Sequence, residues 1–456
     1  MDHLSSLDAG FLEAEDSDRH VSLAVGGICV IEGPMPEYDA LQAILAQRIL
    51  EVPRLRQVIR THLLDLARPE WVDAEDIAVS HHIHRAALPH PGDDDALFRF
   101  AADIMEQRLD RDRPLWECWV IEGLADGRWA VLMKIHHCIA DGIATMHMFA
   151  ELSDGGQDAT FATEIRAARE SSRQSFSLPS VSLNPLHWAV GLWQLATSAT
   201  AAAALAAEGA IEISAGLLRP AASSTLAGSI TAMRRYSAAR VSLEDVTKIC
   251  SAFDVTLNDV ALAAITGSFR AALVRRGEQP RRNSLRTLVP VSVRSNDAVD
   301  AVDNRVSVML PFLPVDKDQP LEQLRTVHRR LSRAKASGQR EAGSIFVEAM
   351  NLVPYPLTAW TVRALTRLPQ RSVVALATNV PGPRQRMRIM GREVARVLPI
   401  PPIALQLRTG IAIVSYVDEL VFGITADYTG TPDVDALAEG IEQAVTELHT
   451  LATASG

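Results

Sequence analysis

Apolar positions along this chain follow two periods that alternate. In the first 150 residues, short apolar runs bounded by polar clusters predict strands at 21–31, 57–64, 77–84 and 116–122. Spacing of three to four residues predicts helices at 38–49 and 94–107. Residues 128–135 are mostly apolar and read as a buried strand running directly into His136. From Gly142 the period changes again, and Ile143, Met146, Phe149 and Leu152 mark one face of a helix. Between about 153 and 235 the pattern dissolves into Ser/Ala-rich sequence broken by Pro179, Pro185 and Pro220, which reads as a partly helical crossover. Beyond it the mixed texture returns, with helices expected at 241–253, 257–275, 321–337 and 434–452. Strands are expected at 285–293, 306–313, 373–377, 394–399, 410–416 and 420–427.

At 456 residues the chain exceeds what one core usually serves. The expected fold is therefore mixed α/β, with domains at 1–152 and 236–456, a crossover at 153–235, and a site where the two halves meet. Apolar residues at 48% and charged residues at 22% suit a soluble globular enzyme. A net charge of -10 argues against nucleic acid as a main partner. Cys29, Cys118, Cys138 and Cys250 have no Cys-x-x-Cys spacing, which indicates neither a zinc cluster nor a disulfide framework. The first residues lack a basic stretch followed by a long apolar one, so the expected location is cytoplasmic. Trp188 to Ala207 carries no formal charge over a length that could span a bilayer, but it is rich in alanine and interrupted by Gln194, Thr197, Ser198 and Thr200. It reads as a packed or membrane-surface helix.

The densest chemistry lies in His136-His137-Cys138-Ile139-Ala140-Asp141-Gly142, between the predicted strand and helix. Histidine is the side chain whose ordinary pKa lies near neutrality, so a pair at a strand end suits a general base and its positioning partner. Neighbours on an extended strand face opposite ways, so the two imidazoles have different duties. Either ring could instead be scaffold, and Asp141-Gly142 alone signals only a turn. Cys138 is a possible nucleophile, but adjacent side chains diverge, which disfavours a dyad with His137. His81-His82-Ile83-His84 places two imidazoles on one expected strand face without a third ligand, so no metal is expected. No Gly-x-Ser-x-Gly elbow and no glycine-rich nucleotide loop occurs.

Six further segments share their order with a known group. They are Leu4 to Leu12, Arg113-Pro114-Leu115-Trp116-Glu117, Thr256-Leu257-Asn258-Asp259-Val260, Val289 to Arg294, Asn304-Arg305-Val306-Ser307, and Thr378-Asn379-Val380-Pro381-Gly382-Pro383. Together with the His-His-xxx-Asp-Gly motif they resemble the CoA-dependent acyltransferases that include chloramphenicol acetyltransferase and peptide-synthetase condensation domains. Within that group the chain resembles the bacterial wax ester synthase/acyl-CoA:diacylglycerol acyltransferases over nearly its whole length. Two positions depart from the pattern: Thr378 replaces a serine and keeps its hydroxyl, and Asp303 stands where a glycine is common.

The resemblance implies two chloramphenicol-acetyltransferase-like domains with a tunnel at their interface. It implies transfer of a long-chain acyl group from acyl-CoA to diacylglycerol, or to a long-chain alcohol, with acyl-CoA as co-substrate and no cofactor. His137 would be the general base, His136 its support, Asp141 an anchor paired with Arg294, and Gly142 the backbone hinge. Asn258 would orient substrate or stabilise the oxyanion, although it or Thr256 could simply cap a helix. Thr378 and Asn379 would contact substrate or only shape a turn. Trp116 reads as core. The basic run Arg329, Arg330, Arg333, Lys335 and Arg340 is either a solvated helix face or an attraction for CoA phosphates or anionic lipid. Peripheral attachment to the inner membrane face or to lipid droplets would follow from a lipid acceptor. The competing readings are a condensation-type reaction on another acceptor and a silent lipid-binding protein.

Overall fold

Runs that are apolar at nearly every position become the middle strands of two sheets. A computed structural model of the chain describes residues 2–62, 68–139, 142–154, 224–292, 306–336, 373–404 and 407–454. Its first half contains β1 (Asp2–His3), α1 (Ser6–Ser17), β2 (Ala24–Ile31), α2 (Tyr38–Glu51), β3 (Gln57–Arg60), β4 (Glu70–Asp73) and β5 (Ile83–Ala87), then α3 (Asp94–Glu106), β6 (Trp116–Glu122), β7 (Trp129–His136) and α4 (Gly142–Leu152). Its second half contains β8 (Arg234–Ser242), α5 (Leu243–Phe253), α6 (Leu257–Arg275), β9 (Leu285–Ser292), β10 (Val306–Met309), β11 (Phe312–Leu313) and α7 (Pro320–Ala336). It continues with β12 (Val373–Val380), β13 (Arg388–Ile389), β14 (Arg392–Ile400), β15 (Thr409–Tyr416), β16 (Glu419–Asp427) and α8 (Val434–Ala454).

One sheet runs β13-β14-β2-β7-β6-β5 and the other β10-β9-β12-β15-β16-β8, with β11 also pairing β9. A small third sheet joins β1, β4 and β3. In the first sheet β7 lies between β2 and β6, and all eight of its residues are buried, which is why its sequence is apolar on both faces. Chain order and sheet membership do not coincide. β14 comes from the second half but pairs antiparallel with β2, setting Val397 against Cys29 and Pro399 against Gly27. Asp154, just past α4, pins the β13–β14 turn: its carboxylate accepts the N–H groups of Met390 (3.1 Å) and Gly391 (2.6 Å) and pairs with Arg48 (2.7 Å). Both turn residues have positive φ, 50° and 75°.

On the second sheet α8 packs against β8 and β16 and α6 meets β11, with α6 lying between α7 and α8. α6 is long and apolar enough to cross a membrane, yet it is mostly buried between these neighbours and serves as a core helix. Four expectations need revision. The helix expected from Val241 begins at Leu243, because residues 234–242 pair with β16 as β8 and Ser242 caps the helix by accepting from Asp245 N–H at 3.2 Å. The strand expected at 77–84 is a 3-10 turn at Val79–His81 followed by β5, so His82 and His84 do not share a strand face. Instead His82 stacks on Trp116 (4.5 Å between centroids) and donates from Nδ1 to the Trp116 carbonyl at 2.8 Å, while His84 stacks on Trp119 at 4.4 Å. The strand expected to reach 64 ends at Arg60, and the single strand expected at 306–313 is two, β10 and β11, which pair with different stretches of β9. Helix α1 adds an element to those the pattern predicts and is capped by Ser5 through Asp8 N–H at 3.1 Å. The stretch Trp188 to Ala207 lies outside the described residues.

Candidate active site

The site begins where β7 ends. His136 closes the strand, donating its backbone N–H to Leu115 O at 3.0 Å, and the chain turns at once, with Ile139 N–H returning to His136 O at 2.9 Å. Leu115 belongs to the Pro-Leu-Trp motif, whose Trp116 is fully buried and donates its indole N–H to Leu55 O at 2.8 Å. That motif therefore frames the strand end and leaves its tryptophan in the core. His137 sits in the turn. Its N–H donates to Leu23 O at 2.9 Å, and its half-buried ring leans on Phe11 of α1, 4.3 Å between centroids.

His136 faces the other way, 1% exposed. Its Nδ1 accepts the N–H of Cys138 at 3.2 Å, so in the neutral ring the proton resides on Nε2. Nε2 lies 3.5 Å from Glu15 Oε2, an electrostatic contact longer than a good hydrogen bond. Glu15 is 2% exposed, and burial by itself would raise its pKa. The His136 ring, the Leu23 N–H (3.0 Å) and Arg111 (2.9 Å) outweigh that and pull the carboxyl down to about 2. One peptide thus links the two networks: Leu23 gives its N–H to Glu15 and takes the N–H of His137 on its carbonyl. Glu15 holds in place the backbone that holds His137. No local sequence pattern marks this carboxylate, which lies more than a hundred residues before the motif; only the apolar turns of α1 on either side hint that its face is buried.

Cys138 is buried, and its sulfur lies 3.0 Å from His136 Nδ1. Burial, with Asp8 adding, pushes its thiol well above the ordinary range. A protonated, enclosed thiol beside the wrong imidazole is a poor nucleophile. Lys134, two residues before His136 on the same strand, is also fully buried, donating to Ile104 O at 2.9 Å, and burial lowers its pKa.

From the second half, α6 and β12 bring two of the expected residues together. Thr256 caps α6 and forms a reciprocal capping box with Asp259, so the cap belongs to Thr256. Asn258, in the first turn, is left exposed, and its Oδ1 accepts from Asn379 Nδ2 at 2.5 Å across 121 residues of chain. His328 of α7 also donates to the buried Asp259 carboxylate, 2.9 Å from Nδ1 to Oδ2. Thr378, half-buried, precedes Asn379 on β12, which packs against α4, the helix that follows the histidine motif. After β12, Gly382 approaches the Ser415 carbonyl so closely that an added Cβ would lie 2.1 Å from that oxygen. Only glycine fits there. Gly142 opens α4, whereas Asp141 and Arg294 lie outside the described residues. Among the described residues no group of three or more His, Cys, Asp or Glu side chains is placed to hold a metal ion.

The family model described as wax ester synthase/diacylglycerol acyltransferase catalytic domain matches residues 4–261, and the WS/DGAT C-terminal domain matches residues 302–449. The chain belongs to the wax ester synthase/diacylglycerol acyltransferase family. A Mycobacterium tuberculosis relative named a probable diacylglycerol O-acyltransferase, Tgs1, is 54% identical over 448 residues, 98% of this chain and 96% of the relative. In structure the family member from Marinobacter aquaeolei VT8 superimposes with a TM-score of 0.68 at 23% identity, covering 99% of this chain and all of that one. The first condensation domain of the CDA synthetase follows the same fold, with a TM-score of 0.60 at 15% identity over 99% of this chain and 96% of that domain. The two-domain chloramphenicol-acetyltransferase-like fold implied by the motifs is thus the fold of this chain, and the chain is an acyltransferase.

Proposed function

We propose that this family member moves a long-chain acyl group from acyl-CoA to the free hydroxyl of diacylglycerol, giving triacylglycerol and CoA, and that it accepts long-chain alcohols to give wax esters. The observation that carries the reading is the fixed turn at His137: backbone tied to Leu23, ring seated on Phe11, and behind it a buried Glu15 paired with the half-buried Arg111. His137 takes the acceptor hydroxyl's proton as the oxygen attacks the thioester carbonyl. The tetrahedral intermediate then expels the CoA thiolate, which recovers the proton from the imidazolium. The O–C bond forms, the C–S bond breaks, and no acyl-enzyme intervenes.

Asn258 and Asn379 act as one amide pair that orients substrate or receives charge on the carbonyl oxygen. Thr378 supplies a neighbouring hydroxyl. Asp141, paired with Arg294, anchors the turn between β7 and α4, and Gly142 lets that turn close. General-base catalysis contributes roughly 10²–10⁴-fold, so the rest of the rate comes from holding both substrates together away from water. The protein works in the cytoplasm at a membrane or lipid-droplet surface, where diacylglycerol is found.

The test is turnover by the purified full-length chain given a long-chain acyl-CoA and either diacylglycerol, hexadecanol or an amine acceptor, with thiol and product followed together. Thiol release matched by triacylglycerol is the expected result. Release only with the amine would favour a condensation-type reaction, and no release with any acceptor would sink the acyl-transfer reading.

A further inference from the structure

The positive charge of this acidic chain is concentrated. Residues 270–335 hold fourteen lysines and arginines against seven carboxylates, a net of +7 within a total of -10. On α7, Arg325, Arg329 and Arg333 recur every fourth residue and are all exposed, so they form one row on the outer face of the helix. Like charges at this spacing weaken a helix unless something opposite lies against them. Among the described residues no carboxylate stands within ion-pair distance of any of the three; Arg329 reaches only the Thr326 hydroxyl at 3.1 Å.

A second arm of the patch comes from the loop after α6. Arg281 and Arg282 are exposed there, and the loop is fastened to α7 by Arg330, which donates to Asn283 Oδ1 at 3.1 Å and to Phe312 O at 2.6 Å. Burial depresses the Arg330 pKa, Asp316 opposes this, and the charges of Arg282 and Arg329 add to the depression, as expected for crowded guanidiniums. The inner side of the same helix carries His328, held on Asp259 beside Asn258. The patch and the candidate site therefore share one helix.

We propose that the Arg325, Arg329 and Arg333 row, together with Arg281 and Arg282, is the face by which the protein docks on an anionic membrane surface. It rests on the lipid-acceptor reading, since a membrane is where diacylglycerol resides. The row alone is roughly 12 Å long, and with the loop it makes a broad, open surface of single charges, suited to a plane of headgroups. A single nucleotide would call for a concave pocket. Because the rest of the chain is strongly acidic, an anionic surface repels every other orientation, so the patch also selects which side meets the lipid.

Vesicle sedimentation with the full chain tests this without needing turnover, so an inactive protein that docks would count against the acyl-transfer reading alone. The wild type is expected to bind phosphatidylcholine vesicles containing phosphatidylglycerol, less so as salt rises, and to bind pure phosphatidylcholine poorly. Each arginine contributes roughly a five-fold factor, so R325Q/R329Q/R333Q is expected to bind about 100-fold more weakly and R281Q/R282Q roughly twenty-fold more weakly. Both variants should keep the wild-type melting temperature and detergent-phase turnover with acyl-CoA and an alcohol. Unchanged vesicle binding in the triple variant, or a wild type indifferent to phosphatidylglycerol, would overturn the proposal. So would a raised KM for acyl-CoA with vesicle binding intact, which would assign the arginines to CoA phosphates.

Discussion

Glu15 controls His137 without touching it. The carboxylate fixes Leu23, Leu23 fixes the His137 backbone, and Arg111 and His136 keep the carboxylate charged inside the protein. Glu15→Gln keeps the shape, removes the charge and leaves Arg111 with Asp16 alone. Breaking a fully buried pair on one side costs about 3–5 kcal/mol; Arg111 is only half-buried and keeps Asp16, so this case lies at or below about 3 kcal/mol, measurable by urea unfolding at neutral pH. The sign with pH follows from a carboxyl lowered from 4.5 in the unfolded chain to about 2 in the folded one. Its stabilisation is complete above the unfolded value and is lost as pH falls through this interval, so the difference between wild type and Glu15→Gln should shrink as pH falls below 4.5 toward 2. A difference that stays constant over that range would remove Glu15 from this role. At this scale the sequence is informative where chemistry is local: strand alternation separates the two histidines and disfavours a dyad of Cys138 with His137. It is silent about Glu15 and gives Phe11 no role beyond its place in the Leu4 to Leu12 segment, because the importance of both arises only when α1 folds over the strand end.

Among the elements, those with strong periodicity or continuous apolar runs were legible almost to the residue: α4, α6, β6 and β7 lie where the pattern places them. The failures share a cause. β8 is an edge strand that carries Arg234, Arg235 and Arg240 among small residues, β1 and β4 are very short, and each exists because a partner strand supplies its hydrogen bonds. At the N-terminus of α6 the sequence allows either a cap or a site residue, and the structure divides the two jobs between neighbours. Thr256 caps, while Asn258 points outward to Asn379. Thr256→Ala should cost about 0.5–2 kcal/mol of stability, the usual value of a lost N-cap. Asn258→Ala should leave the melting temperature near wild type and lower kcat. Equal losses of stability in both variants would make Asn258 structural, and a fully active Asn258→Ala would remove it from the site.

For the whole molecule, the mixed α/β fold is legible because six motifs in order, with the histidine motif, fix a family. The exchange of β14 into the first sheet is not, since nothing in residues 392–400 says that β2 is its neighbour. That exchange matters for the site, because β2, which pairs with β7 up to His136, is itself braced on its other side by β14 from the second half of the chain. The proposed function draws on both halves at once: a base at the end of β7, an amide pair at α6 and β12, and an arginine face on α7. The central claim is that His137 carries the proton between acceptor and thiolate. Its most direct test is kcat of His137→Ala with long-chain acyl-CoA and diacylglycerol, alongside its melting temperature. The expected result is a fall of roughly 10²–10⁴-fold in kcat with an unchanged melting temperature; a folded His137→Ala that turns over within a few-fold of wild type would contradict it.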